Sequence, residues 1–197
     1  PVAVIGGGTN LIAADEGFPG IVLRYTANRI WAEAGRVKAE AGAELQALVD
    51  FTVERGLKGL ETLTRIPGWV GAAVHGNAGA YGHSISESVA RVTWTDGREI
   101  REFTNAGCRF RYRESVFKSH KSWIILSAEL GLAAADPAEL RQAGVDAHAG
   151  AGRATAQDHR GEPARSERAP LAARRDSARA QPGGRVRAHP AARVGDG

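Results

Sequence analysis

Cysteine is nearly absent from this chain. The single thiol, Cys108, excludes an internal disulfide and suits a reducing compartment. Aromatic side chains make up 6% of the 197 residues, and every Trp, Phe and Tyr falls before residue 124. No apolar run approaches the roughly 20 residues that a membrane-spanning helix needs, and no signal-peptide pattern opens the chain. No membrane partner is therefore expected, and a cytoplasmic location is. No second His, Asp, Glu or Cys stands at ligand spacing from His75, so no metal is expected. The formal net charge is +4, most of it from arginines beyond residue 132. Those arginines are scattered among acids without aromatic interleaving, so a nucleic-acid partner is not expected.

Glycine is abundant where the other types are scarce. Pro67–Gly82 holds five glycines and four alanines in sixteen residues, with almost no charge. So much glycine costs folding entropy and calls for a reason, such as positive φ or close approach of a ligand. A second small-residue loop, Gly6-Gly7-Gly8-Thr9-Asn10, follows the strand-like Val2–Ile5. Consecutive N–H groups in such a turn form an anion-binding concavity, to which Thr9 adds a hydroxyl. The loop is not a Rossmann fingerprint, because Leu11 stands where the third glycine belongs, and no Walker lysine is present. Alone it reads equally as a tight turn or a phosphate site. Two such loops in one chain suggest a dinucleotide held between them.

Four blocks follow one another at regular spacing. The first is Gly6–Leu11 with Asp15-Glu16-Gly17-Phe18-Pro19-Gly20-Ile21-Val22-Leu23-Arg24. The second is Gly56-Leu57-Lys58-Gly59-Leu60-Glu61 through Ile66-Pro67-Gly68-Trp69-Val70-Gly71. The third is Asn77–Gly82, and the fourth runs from Cys108 through Tyr112-Arg113-Glu114-Ser115 to Lys118. In this order they resemble the flavoprotein family of UDP-N-acetylenolpyruvoylglucosamine reductases, also called UDP-N-acetylmuramate dehydrogenases, over roughly residues 1–132. The resemblance implies an α+β fold, the two-subdomain FAD-binding domain of the vanillyl-alcohol oxidase (PCMH) type. It implies bound FAD, reduction by NADPH, and a UDP-sugar substrate whose enolpyruvyl group is reduced in peptidoglycan precursor synthesis. The number of subunits is left open.

Residue roles follow from the same resemblance. Gly6, Gly7, Gly8, Thr9, Asn10 and Leu11 are expected to bind the cofactor. So are Ile66, Pro67, Gly68, Val70, Gly71 and Ala72, together with Asn77, Ala78, Gly79, Ala80, Tyr81 and Gly82. Arg113 is the expected catalytic residue, since a guanidinium can pair bidentately with a carboxylate-bearing anion. Tyr112, Ser115 and Lys118 are candidates for substrate contact, and Glu61 for positioning a turn. The family's proton-donor serine and late glutamate belong to a C-terminal segment with no matching motif here. Ser166, Glu167 and Ser177 stand outside any such motif.

The periodicity predicts strands at Ile21–Tyr25, Arg36–Ala41, Val89–Thr95, Arg98–Phe103 and Trp123–Leu130, and a helix at Ala43–Arg55 ending on Gly56. From Ala133 onward the chain is rich in Ala, Arg, Gly and Pro and has no aromatic, Ile or Lys. Residues 1–132 are thus expected to form a flavin domain lacking its opening strands. Residues 133–197 are expected to be a disordered or out-of-frame tail in place of a substrate-binding domain. Two other readings stay open: another FAD oxidoreductase of the same fold, or an inactive nucleotide-binding fragment.

Overall fold

In a computed structural model, residues 1–158 are described. The elements in chain order are β1 (Val2–Ile5), β2 (Ile21–Arg24), β3 (Ile30–Glu33), β4 (Arg36–Glu40), α1 (Leu45–Glu54) and β5 (Leu57–Lys58). There follow α2 (Val70–His75), β6 (Gly79–Ala80), β7 (His83–Ser84), β8 (Val89–Thr95), β9 (Ile100–Thr104) and α3 (Val116–Ser119). The last are β10 (Ile124–Leu130), β11 (Ala133–Ala134) and α4 (Pro137–Asp158). The class is α+β.

A five-stranded antiparallel sheet in the order β3-β4-β10-β8-β9 forms the centre. Strand β8 alternates from Arg91 to Thr95, burying Val92 and Trp94, and the buried Val89 stands before a register shift against β10. Asp96-Gly97 then turns the chain: Gly97 takes φ 88°, and the Asp96 carboxylate accepts from the Arg98 amide at 2.9 Å. The inner face of the sheet meets α1 and α2 through Val37, Ala39, Leu48, Val49, Val70 and Val74, all buried. Trp94, Phe103, Phe117 and Trp123 pack as an aromatic cluster at one end, with the Trp94 and Trp123 rings stacked at 3.9 Å. Helix α1 places Leu45, Leu48, Val49 and Thr52 inward and ends before Gly56, which takes the left-handed φ of 64°.

Strands β1 and β2 pair in parallel, Val2 with Ile21 through Ile5 with Arg24, apart from the large sheet. The Gly6–Asn10 loop leaves the end of β1, and a Leu11 N–H to Gly8 carbonyl bond of 3.2 Å closes it as a turn.

Besides the short elements α2, α3, β5, β6 and β7, two features differ from the sequence expectation. Strand β3 was not foreseen; it pairs with β4 across the tight turn Ala34-Gly35, whose residues take φ 50° and 75°. Regular structure also continues past Leu132. Strand β11 pairs with β5, and α4 begins at Pro137 with the Asp136 carboxylate accepting from the Ala138 amide. Leu140, 3% exposed, anchors that helix in the core. A buried leucine and a strand partner supply the packing that the composition of this stretch does not advertise. The rest of the expected tail, 159–197, lies outside the described residues.

Candidate cofactor cleft

The loop after β1 and the segment leading into α2 face each other. A Cβ on Gly6 would sit 3.4 Å from the Ala72 Cβ, and one on Gly7 only 3.0 Å from the Trp69 Nε1. Thr9 Oγ1 would lie 3.4 Å from a Cβ on Gly68. Helix α2 is held to the segment that follows β4 by backbone bonds, Val70 N–H to the Ala43 carbonyl at 2.8 Å and Gly71 N–H to the Ala41 carbonyl at 2.9 Å. At Gly71 that approach leaves no room for a side chain, since a Cβ would fall 2.8 Å from the Ala41 Cβ.

Between the two loops lies a cleft of about 740 Å³. This is within the usual range of about 300–1,000 Å³ for small-molecule sites. Of the expected cofactor residues it takes in Gly6, Gly7, Gly8, Thr9, Asn10, Leu11, Ile66, Pro67, Gly68, Gly71, Ala72 and Ala78. Arg113 and Lys118 also line it. The other expected residues lie elsewhere. Val70 is buried core, and Gly79 and Ala80 pair with β7. Tyr81 and Gly82 form the turn between those strands with φ 54° and 81°. Asn77 is buried and spends its carboxamide on the backbone of Arg111 and Ser86. Tyr112 is 89% exposed at a turn tip, and Ser115 is buried, its hydroxyl donating to the His75 carbonyl at 2.6 Å. Glu61 closes a turn by accepting from the Gly59 amide at 2.7 Å. Ser166, Glu167 and Ser177 lie outside the described residues.

The cleft also has walls that the sequence did not mark. Trp69 is half-buried with the Arg24 guanidinium 5.0 Å from its ring centroid, and Tyr25, His75, Lys121 and Trp123 join the lining. Aromatic residues in a sequence read first as core, and Lys121 belongs to no motif; only packing brings them here.

One end of the lining is cationic. Arg113, Lys118 and Lys121 contribute, and among the described residues no carboxylate pairs with Arg113. Glu114 is engaged instead by Lys118 at 3.3 Å. Partial burial and, secondarily, the Lys118 ammonium hold the His75 imidazole below its ordinary range, so it sits there neutral. Cys108 is buried and its thiol is pushed up to about 11, which removes it as a nucleophile. Among the described residues no cluster of His, Cys, Asp or Glu could hold a metal. No helix among them is long and apolar enough to cross a membrane.

The donor set fits a flavin dinucleotide. The glycine backbones of Gly6–Gly8 offer N–H groups without side-chain cover, Gly8 at φ 80° with open space beyond it. An apolar wall of Ile66, Pro67 and Ala72 faces them, and the cations stand where an anionic ligand could be met.

Comparisons with known proteins agree with this geometry. A family described as "FAD binding domain" matches residues 1–99. UDP-N-acetylenolpyruvoylglucosamine reductase of Solibacter usitatus is 60% identical over 145 residues, covering 74% of this chain and 46% of that protein. The enzyme of the same name from Carboxydothermus hydrogenoformans is 43% identical over 141 residues, covering 70% of the chain and 46% of the relative. A crystal structure of UDP-N-acetylenolpyruvylglucosamine reductase from Thermus caldophilus superposes with a TM-score of 0.69 at 26% identity. That superposition covers 77% of this chain and 56% of the other. The chain thus spans about half the length of the relatives it matches.

Proposed function

This chain belongs to the FAD-binding domain family, and from that premise we propose that it forms the flavin cleft of a UDP-N-acetylenolpyruvoylglucosamine reductase. The observation that carries the reading is the meeting of two glycine-rich loops, distant in sequence, as opposite walls of one cleft that Arg113, without a carboxylate partner among the described residues, also lines.

Each group has a task in that reading. The N–H groups of Gly6–Gly8 and the Thr9 hydroxyl hold the pyrophosphate of FAD. Trp69, Ile66, Pro67 and Ala72 offer the apolar surface that its flat rings need and keep water from them. When bound, FAD would supply the hydride chemistry that links NADPH to the enolpyruvyl group of the UDP-sugar. Arg113 pairs with the carboxylate of that group, and its fixed charge favours the transition state in which negative charge grows beside it. The product is a UDP-N-acetylmuramate, a peptidoglycan precursor, and the location that goes with this reading is the cytoplasm. The resemblance implies a proton-donating serine and a carboxylate-side glutamate as well, and no motif of this sequence is assigned to either role.

Titration of FAD into the protein, followed by quenching of flavin fluorescence, tests the cleft. Saturable uptake and a yellow protein are expected; a folded protein that stays colourless overturns the reading. NADPH oxidation started by the enolpyruvyl nucleotide then separates three cases. Turnover supports the reductase. Turnover of a different acid or alcohol alone marks another FAD oxidoreductase of this fold, and flavin uptake without turnover marks a binding fragment.

A further inference from the structure

Arg113 sits in a strained place. Arg111 and Glu114 exchange both backbone bonds, at 3.0 and 3.1 Å, so Tyr112 and Arg113 form the tip of a two-residue turn. Arg113 takes φ 55°, a left-handed conformation that a non-glycine residue keeps only where its surroundings hold it. The tip itself is exposed, so the restraint comes from its base.

At that base lies Asn77, 6% exposed, directly after α2 and its cap Gly76. Its Nδ2 donates to the Arg111 carbonyl at 2.9 Å, and its Oδ1 accepts from the Ser86 amide at 3.3 Å. Its own φ is 44°, which asparagine tolerates better than most residues. His75, Gly76 and Ala78 on either side line the cleft, while Asn77 points its carboxamide at the turn. Lys118 adds a bond from Nζ to the Arg113 carbonyl at 2.6 Å, but it is an exposed chain from the same local segment. Asn77 is a buried link between the cleft-lining helix and the arginine turn, beside the Ser115 hydroxyl, which donates to the His75 carbonyl at 2.6 Å.

We propose that Asn77 is a positioning residue for Arg113, tying the arginine turn to the end of α2 so that the guanidinium is presented to a carboxylate ligand. The proposal rests on the role given to Arg113 above. Losing the Nδ2 bond leaves the Arg111 carbonyl held only by the Glu114 amide of its own turn, loosens the left-handed tip and spreads the guanidinium over many positions. A carboxylate then meets it less often, while the Gly6–Thr9 loop that would hold the pyrophosphate is not touched by Asn77.

Two substitutions isolate the carboxamide. Asn77→Gly keeps the positive φ without strain and removes the side chain. Asn77→Asp keeps its size and replaces the donor by an acceptor facing the Arg111 carbonyl. The readout is the ratio of dissociation constants for the enolpyruvyl nucleotide and for UDP-N-acetylglucosamine, which lacks the carboxylate. Both variants are expected to lower that preference about tenfold, the scale of one buried hydrogen bond, with FAD affinity unchanged. In an Arg113→Ala background the same substitutions should shift the ratio by less than about twofold, because Asn77 acts through Arg113. An unchanged preference in the single variants, or an undiminished effect without Arg113, overturns the proposal. If the unsubstituted protein shows no preference, the assignment of Arg113 has failed, and the rate of trypsin cleavage after Arg113 decides the turn. Faster cleavage in both variants supports the tie, and equal rates overturn it.

Discussion

The nearest heavy atom to a Cβ placed on Gly7 is the Trp69 Nε1, at 3.0 Å, so one loop of the cleft is fitted to the indole of the other. The indole cannot swing away freely, because Arg24 holds its guanidinium 5.0 Å from the ring centroid, within the range of a cation–π contact. A Gly7→Val variant is therefore expected to push the two walls apart or fill the space between them. Overpacking of this kind costs about 1–3 kcal/mol, so FAD binding should weaken roughly tenfold or more. Flavin fluorescence titration checks this, and unchanged affinity would place the dinucleotide away from this loop.

Arg113→Ala is expected to lower kcat about 10²–10³-fold, the usual loss when one preorganised electrostatic contact is removed. FAD should remain bound. Stability should change by less than about 0.5 kcal/mol, since the side chain is exposed and has no carboxylate partner among the described residues. Steady-state turnover together with flavin absorbance checks both halves. Unaltered turnover would make Arg113 a surface residue.

The parts of the fold with strong local signals were legible in the sequence. Strand β8 alternates from Arg91 onward and ends on Asp96-Gly97, so its bounds agree with the pattern. Strand β3 has four residues at a sheet edge and an Ala-Gly turn, too little pattern to be read alone. The start of α4 was written in Asp136-Pro137, but the Ala- and Arg-rich composition outweighed that short signal. At the cleft, the motifs named the glycine loops and Arg113. They could not say that Tyr112 points to solvent or that Trp69 and Lys121 complete the walls, because those facts depend on how distant segments pack.

Cys108 makes alkaline stability a test of the core. Burial raises its thiol from 9.0 to about 11. The folded state keeps its proton at pH values where the unfolded chain has lost it. The unfolded state then binds fewer protons, so stability falls as pH rises. The contribution is fully present below pH 9 and is lost between about 9 and 11. A shift of this size corresponds to at most about 2–3 kcal/mol. Urea unfolding at pH 8 and pH 10.5 should show the loss, and Cys108→Ala should flatten it. An equally steep loss in that variant would assign it to other groups.

Gly71 and Gly8 are both small for different reasons, and alanine at each should separate them. Gly71 lies on α2 with a helix-compatible backbone, yet its Cβ position is 2.8 Å from the Ala41 Cβ and 3.1 Å from the Ala41 carbonyl oxygen. The obstruction is partly backbone, and that backbone also accepts the Gly71 N–H at 2.9 Å, so the helix cannot retreat without breaking the bond. Gly71→Ala should therefore destabilise the fold by about 1–3 kcal/mol and move the cleft wall with it. Gly8 has φ 80° and nothing within 4 Å of a Cβ, so Gly8→Ala meets only backbone strain. That strain is about 1–2 kcal/mol, and the exposed loop can shed it by shifting locally. Chemical denaturation should thus show a large loss for Gly71→Ala and a smaller one for Gly8→Ala. FAD affinity should fall in both, in Gly71→Ala because the cleft wall moves and in Gly8→Ala because the loop proposed to hold the pyrophosphate shifts. A Gly71→Ala protein as stable as the parent would mean that α2 is not seated on Ala41, and the cleft wall would have to be redrawn.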